Sequence, residues 1–264
     1  MWALRHPGHV VPLPFVAGWS DARALVIGCA AAGTVAATNV LPHEVAAVVG
    51  VAAVHGGLLA VALTWGGVTT TGAGIVIALL TFARGLVALH PLGGLAYLAV
   101  PLWLALLAGA GRLSRLGLGR PWPWDAAAMG ALAGAALALH LFTCASRTLG
   151  YGVRFEAAAF IPAFGYDLGA NILSGELFFR GAVLQHLWRR WSFGVALAVA
   201  SGAATLRYAV DPFVATTELR IGAVVYMALL AVLNGALYRW SGSLLPGLAA
   251  ATVFFACYRL LAAG

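Results

Sequence analysis

The stretch Asn171–His186 reads NILSGELFFRGAVLQH. It sets Glu176 and Arg180 four residues apart inside an otherwise apolar run. On a helix that spacing puts both side chains on one face, where they can pair. Asp167, Asn171 and Ser174 recur at helical spacing on the same segment. At roughly 100° per residue they fall on nearly the opposite side. A helix that is polar on both sides cannot face lipid well, so this one is expected at the centre of a bundle.

The surroundings make lipid the relevant solvent. Of the 264 residues, 62% are hydrophobic and only 9% charged. A soluble domain carries about 25% charged residues, and a chain this poor in charge cannot cover a soluble surface. The apolar residues also come in blocks near the roughly 20 residues that cross a bilayer. An all-α polytopic membrane protein follows, with candidate spans at 24–41, 45–65, 72–90, 93–110, 126–145, 157–180, 192–210, 221–239 and 243–262. Arg84 interrupts the third of these, which leaves eight or nine transmembrane helices.

The formal charge of +7 comes from arginine, since the chain has no lysine. In a membrane protein such an excess sets topology, and nucleic acid is not an expected partner. Arg112, Arg115 and Arg120 fill one loop, Arg189 and Arg190 another, and Arg239 a third. With the N-terminus inside, these loops face the cytoplasm together with Arg5 and Arg23; Arg147, Arg154, Arg207 and Arg220 oppose that orientation. The opening MWALRHPGHVVPLPF has prolines in its apolar run and no small-residue cleavage site, so the first span is expected to insert the chain. The stretch Arg112–Asp125, with its prolines and two tryptophans, divides an N-terminal helical region, 1–111, from a C-terminal core, 112–264. Gly130 and Gly134 form a small-xxx-small pair suited to close helix packing.

A charge at bilayer depth costs about 2.5–3.5 kcal/mol on insertion scales. Glu176 and Arg180 therefore read either as a functional pair facing a cavity, or as an ion pair that orders the end of the span, with Arg180 reaching toward the interface. Asp167 is a candidate second acid or, with Asn171, part of a buried hydrogen-bonded network. No metal or cofactor is implied. His43 and Glu44 start an H-E-x-x-H pattern, but Ala47 stands where its second histidine belongs. His55, His90 and His140 sit singly in apolar spans and are expected to be packed and hydrogen-bonded. Cys29, Cys144 and Cys257 lack metal or redox spacing and are expected as buried free thiols.

GELFFRGAVLQHL, Gly175 to Leu187, resembles the first motif of the CPBP intramembrane proteases (the CAAX prenyl protease and bacteriocin-processing, or Abi, family), E-E-x-x-x-R followed by glycine. RLSRLGLGRPWPWDAAAMGALAGAALAL, from Arg112, is similar to the family's approach to its core helices. SGSLLPGLAAATVFFACY, from Ser241, resembles its last motif, G-S-x-x-P-x-x-x-x-H-x-x-x-N. The resemblance covers roughly 112–264 and implies peptide hydrolysis in a membrane cavity. A glutamate and a histidine activate water there, and a further histidine and an asparagine stabilise the oxyanion.

This chain departs from the pattern. Gly175 replaces the first motif glutamate, so only Glu176 and Arg180 match. The second-motif region SGAATLRYAVDPF, from Ser201, has no histidine, and the last-motif positions are Ala251 and Phe255. Arg207 and Asp211 lie near the missing histidine and are candidates for an ion pair at a cavity mouth. Three readings follow. The leading one is a pseudoprotease that binds or scaffolds a membrane peptide or protein without cutting it, in the lipid bilayer of a bacterial plasma membrane. The others are an active but divergent intramembrane endopeptidase using Glu176 with Asp167 or with residues of a partner protein, and a transporter or channel subunit with the polar helix lining its path.

Overall fold

The computed structural model describes residues 40–119, 121–209 and 217–263. Among them α1 comprises His43–Val49, Gly50–His55 and Gly56–Trp65; α2 is Thr70–Leu89; and α3 joins Pro91–Leu98 to Ala99–Gly109. A 3₁₀ turn, Ser114–Leu116, leads to α4, Trp124–Leu149, and to a short strand β1, Tyr151–Val153. The charged segment forms α5, continuous through Ala157–Tyr166, Asp167–Ile172, Leu173–Gly175, Glu176–Leu184 and Gln185–Trp188. Then come α6, Phe193–Ala209; α7, Thr217–Ser241; α8, Leu245–Tyr258; and β2, Leu261–Ala263.

Among the described residues five helices are long and apolar enough to cross a membrane: Val45–Trp65, Thr70–Leu89, Leu92–Gly109, Trp124–Leu149 and Ile221–Ser241. The third expected span is a full 20-residue helix, with Arg84 half-buried on its side. The helices in α6 and α8 are apolar but shorter. The expected span 24–41 lies outside the described residues. The expected last span, 243–262, ends as a helix at Tyr258, and Leu261–Ala263 instead pairs antiparallel with Tyr151–Val153. The fold is therefore nearly all-α, closed at one end by a two-stranded clip.

α5 is the central rod. Its Leu173, Leu177 and Leu184 pack in a core with Leu59 and Leu63 of α1, Val76 and Leu80 of α2, Tyr97 and Val100 of α3, and Ala196 and Ala200 of α6. Its Ile172 packs on the other side with Ala138 of α4, Tyr226 and Leu230 of α7, and Ala251 and Phe254 of α8. Two stretches of α5, Asp167–Ile172 and Glu176–Leu184, have the wider π turn, a form that recurs at functional sites. The opposite, outward faces carry exposed Phe82, Leu102, Leu132 and Leu139, the side chains that lipid would cover.

Small residues set how closely the rods approach. A Cβ on Gly130 would collide with the Pro246 carbonyl, and one on Gly134 with the Ala250 carbonyl. The small-xxx-small pair thus seats α4 directly on α8. Gly165 and Gly169 of α5 meet the backbone of Gly94 and Tyr97 in the same way.

Hydrogen bonds order the ends of the bundle. Gln185 Nε2 donates to the Arg115 carbonyl at 3.2 Å, and Leu244 N to the Gly117 carbonyl at 3.1 Å. The Ser114–Leu116 turn, the end of α5 and the α7–α8 turn therefore share one end, which also carries Arg189 and Arg190. The β clip closes the other end. The free thiols differ from expectation: Cys257 is exposed and Cys144 half-exposed, because an apolar block in this fold can face lipid. Cys29 lies outside the described residues.

Candidate functional site

The polar faces of α5 form two separate centres, as their helical spacing requires. In the first, Glu176 and Arg180 are both buried, with Arg180 Nη1 3.5 Å from Glu176 Oε1. Arg180 does not reach an interface: it is 4% exposed, and Nη1 also donates to the Gly175 carbonyl at 3.4 Å. Asn234 of α7 completes this centre, donating from Nδ2 to Glu176 Oε1 at 2.8 Å. Glu176 Oε2 and Asn234 Oδ1 are buried without a hydrogen-bond donor. A Cβ on Gly247 of α8 would press to 3.0 Å from Oε2, so glycine leaves that oxygen its room.

The second centre gathers Asp167, Asn171 and Ser174 of α5, His55 of α1, and Arg207 and Tyr208 of α6. Asp167 is fully buried and holds Arg259, just past α8, through both oxygens: Nε at 2.5 Å and Nη2 at 2.9 Å. Asn171 Nδ2 donates to Asp167 Oδ1 at 3.3 Å. This is the buried network expected for Asp167, with Arg259 as its main member. A carboxylate occupied in both oxygens by a guanidinium fork is poorly placed to act as a general base.

Arg207 is the hub. Its Nη2 donates to Asn171 Oδ1 and to the Tyr208 hydroxyl, each at 2.8 Å, and its Nη1 donates to Ser174 Oγ at 3.1 Å. Nη1 also points at His55 Nδ1 from 3.5 Å. Nε2 of His55 lies 2.6 Å from the Tyr166 hydroxyl. Ser174 Oγ lies 2.8 Å from Nδ1 on the near side. Asp211, the expected partner of Arg207, lies outside the described residues.

His90 and His140 are hydrogen-bonded as expected, but exposed rather than packed. His140 Nδ1 meets the Tyr226 hydroxyl at 2.8 Å, and His90 Nδ1 accepts from Leu92 N at 3.0 Å. Among the described residues no group of three or more His, Cys, Asp or Glu side chains is placed to hold a metal.

The positions where the chain departs from the resembled motifs also have definite places. Ala251 and Phe255 are buried among Ile172, Tyr226 and Phe254, and neither of their own side chains can donate to an oxyanion. Gly175 faces the second centre: a Cβ there would stand 3.5 Å from Arg207 Nη2, an ordinary contact. The helix expected to bring a histidine toward the missing glutamate brings an arginine instead.

Tyr166, Asn234, Tyr208 and Arg259 escaped the sequence reading, and His55, expected only to be packed and hydrogen-bonded, was not placed in the site. Asn234 carried a signal, as a lone amide inside an apolar span. His55 did not, because nothing in a single helix says which neighbour it will face.

A bundle of apolar helices around a doubly polar central rod defines an integral membrane protein with a buried polar site. Residues 157–256, from α5 into α8, match the family model described as Type II CAAX prenyl endopeptidase Rce1-like. No curated protein and no solved structure matches the chain.

Proposed function

We propose that the protein is a pseudoprotease, a CPBP-family membrane protein of the bacterial plasma membrane that binds or scaffolds a membrane peptide without hydrolysing it. One observation carries this reading: the group facing the position of the missing motif glutamate, Gly175, is the guanidinium of Arg207. Water activation needs a base near the operating pH, and a guanidinium cannot accept a proton. Losing general-base assistance removes about 100–10,000-fold in rate, and losing one oxyanion donor about 100–1,000-fold. The losses need not add, yet even a partial combination leaves little turnover.

The test is purified protein in nanodiscs with a quenched CAAX-type or transmembrane peptide. Capture without cleavage is expected. Turnover that disappears in Glu176→Ala overturns the reading. That outcome has one observation in its favour, the donor-free oxygens of Glu176 and Asn234, which could hold a water. The endopeptidase of that second reading would run on Glu176 without Asp167, since the two acids sit in different centres.

A further inference from the structure

We infer that Arg207 is the binding group for a carboxylate at the end of an apolar chain. This rests on, and deepens, the reading of the protein as a binder of membrane ligands.

Charge is the first argument. Among the described residues the second centre holds two guanidinium groups, Arg207 and Arg259, and one carboxylate, Asp167. Arg259 takes both oxygens of Asp167. Arg207 is held by an amide, two hydroxyls and an imidazole nitrogen, all neutral. Among the described residues the centre therefore carries one positive charge in excess, and a charge in a bilayer calls for a partner.

Geometry is the second. The fork is fixed in place before any ligand arrives, with its carbon 4.8 Å from the centre of the Tyr208 ring. Release costs the shell little, because the Tyr208 hydroxyl also donates to Asn171 Oδ1 at 2.8 Å. When an anion takes the Nη2 protons, those two groups keep each other and neither is left unpaired. Space adjoins the fork at Gly175, where an added Cβ would touch Nη2 at 3.5 Å and no other group beyond its own helix. Arg207 itself keeps partial exposure.

Depth selects the source of the anion. His55, which faces Arg207, is at the middle of the 21-residue span Val45–Trp65, about 15 Å from either end. A lipid phosphate stays outside a hydrocarbon core about 30 Å thick and does not reach that level. A carboxylate terminating an inserted apolar chain does, whether a fatty acid or the free C-terminus of a hydrophobic peptide. A planar carboxylate also matches the guanidinium fork.

The experiment uses the full chain in nanodiscs at alkaline pH, where the probe is ionised. Tritiated dodecanoate is the probe, with dodecanol, an apolar peptide with a free C-terminus and the same peptide amidated as competitors. We expect saturable dodecanoate binding that the free-acid peptide displaces and that dodecanol and the amide do not. Arg207→Gln should weaken it about 10- to 100-fold, the worth of a charge-assisted bond. Gly175→Glu supplies a tethered carboxylate, so it should abolish binding and raise the melting temperature, which separates occupancy of the site from misfolding. Displacement by peptide identifies a peptide C-terminus as a ligand, and displacement by fatty acids alone identifies a lipid ligand. Equal competition by dodecanol, or unchanged binding in Arg207→Gln, overturns the inference. Peptide cleavage would sink the pseudoprotease reading and leave this site standing; absent carboxylate binding would do the reverse.

Discussion

Asn234 Nδ2 donates to Glu176 Oε1 at 2.8 Å, joining α7 to α5 across 58 residues of sequence. With Arg180 at 3.5 Å, the carboxylate is held from two sides. Glu176→Ala should therefore destabilise the protein far more than Glu156→Ala. Removing one partner of a buried pair costs about 3–5 kcal/mol. Glu156 is exposed and only 3.9 Å from an exposed Arg154, a kind of pair that contributes about 0–1 kcal/mol. Melting in detergent decides it, and equal losses would show that Arg180 does not depend on Glu176.

Asp167 and Arg259 tie the centre of α5 to the chain just beyond α8. Asp167→Asn and Arg259→Gln should each cost about 3–5 kcal/mol by stranding the other charge. The double variant should lose less than the sum of the two, because no lone charge remains. Strict additivity in the thermal-shift cycle would mean that the two side chains act independently.

Glycine positions give a paired packing test. Gly130→Ala and Gly134→Ala should lower the melting temperature, since a Cβ at either site strikes an α8 carbonyl. Gly57→Ala and Gly74→Ala meet open space and should be neutral or stabilising by about 0.5–1 kcal/mol, the usual gain of replacing glycine within a helix. A uniform response across the four variants would rule out the close α4–α8 seat.

Topology is testable from the same end of the bundle. In a cysteine-free background, Ser114→Cys and Ser192→Cys should be labelled from one face of the membrane, which the arginine excess there predicts to be the cytoplasmic one. Labelling from opposite faces would contradict the Gln185–Arg115 contact.

Much of this architecture was legible because bilayer length is a coarse, local property. The runs at 45–65, 72–90, 93–110, 126–145 and 221–239 all correspond to long apolar helices. Boundaries failed where charge was read as an ending. α5 runs on past Arg180 to Trp188, because Glu176 and Asn234 hold the arginine inside the bundle. The last helix stops at Tyr258, where Arg259 turns back to Asp167. The split of polar residues between two sides of α5 followed from the helical period alone. What each side meets did not, since His55 lies 119 residues from Ser174 and only the packing of α1 on α5 brings them to 2.8 Å.

The strand pairing that joins Tyr151 to Ala263 has a consequence for handling the protein. It makes the chain from α5 to α8 a ring whose two ends already touch. A short linker from 263 to 151 could close that ring covalently, and new termini could be opened in the α6–α7 connection. Such a circular permutant would keep the Glu176–Arg180–Asn234 centre and the Asp167–Arg259 pair, yet be freed from its attachment to α4 and part from His55 of α1.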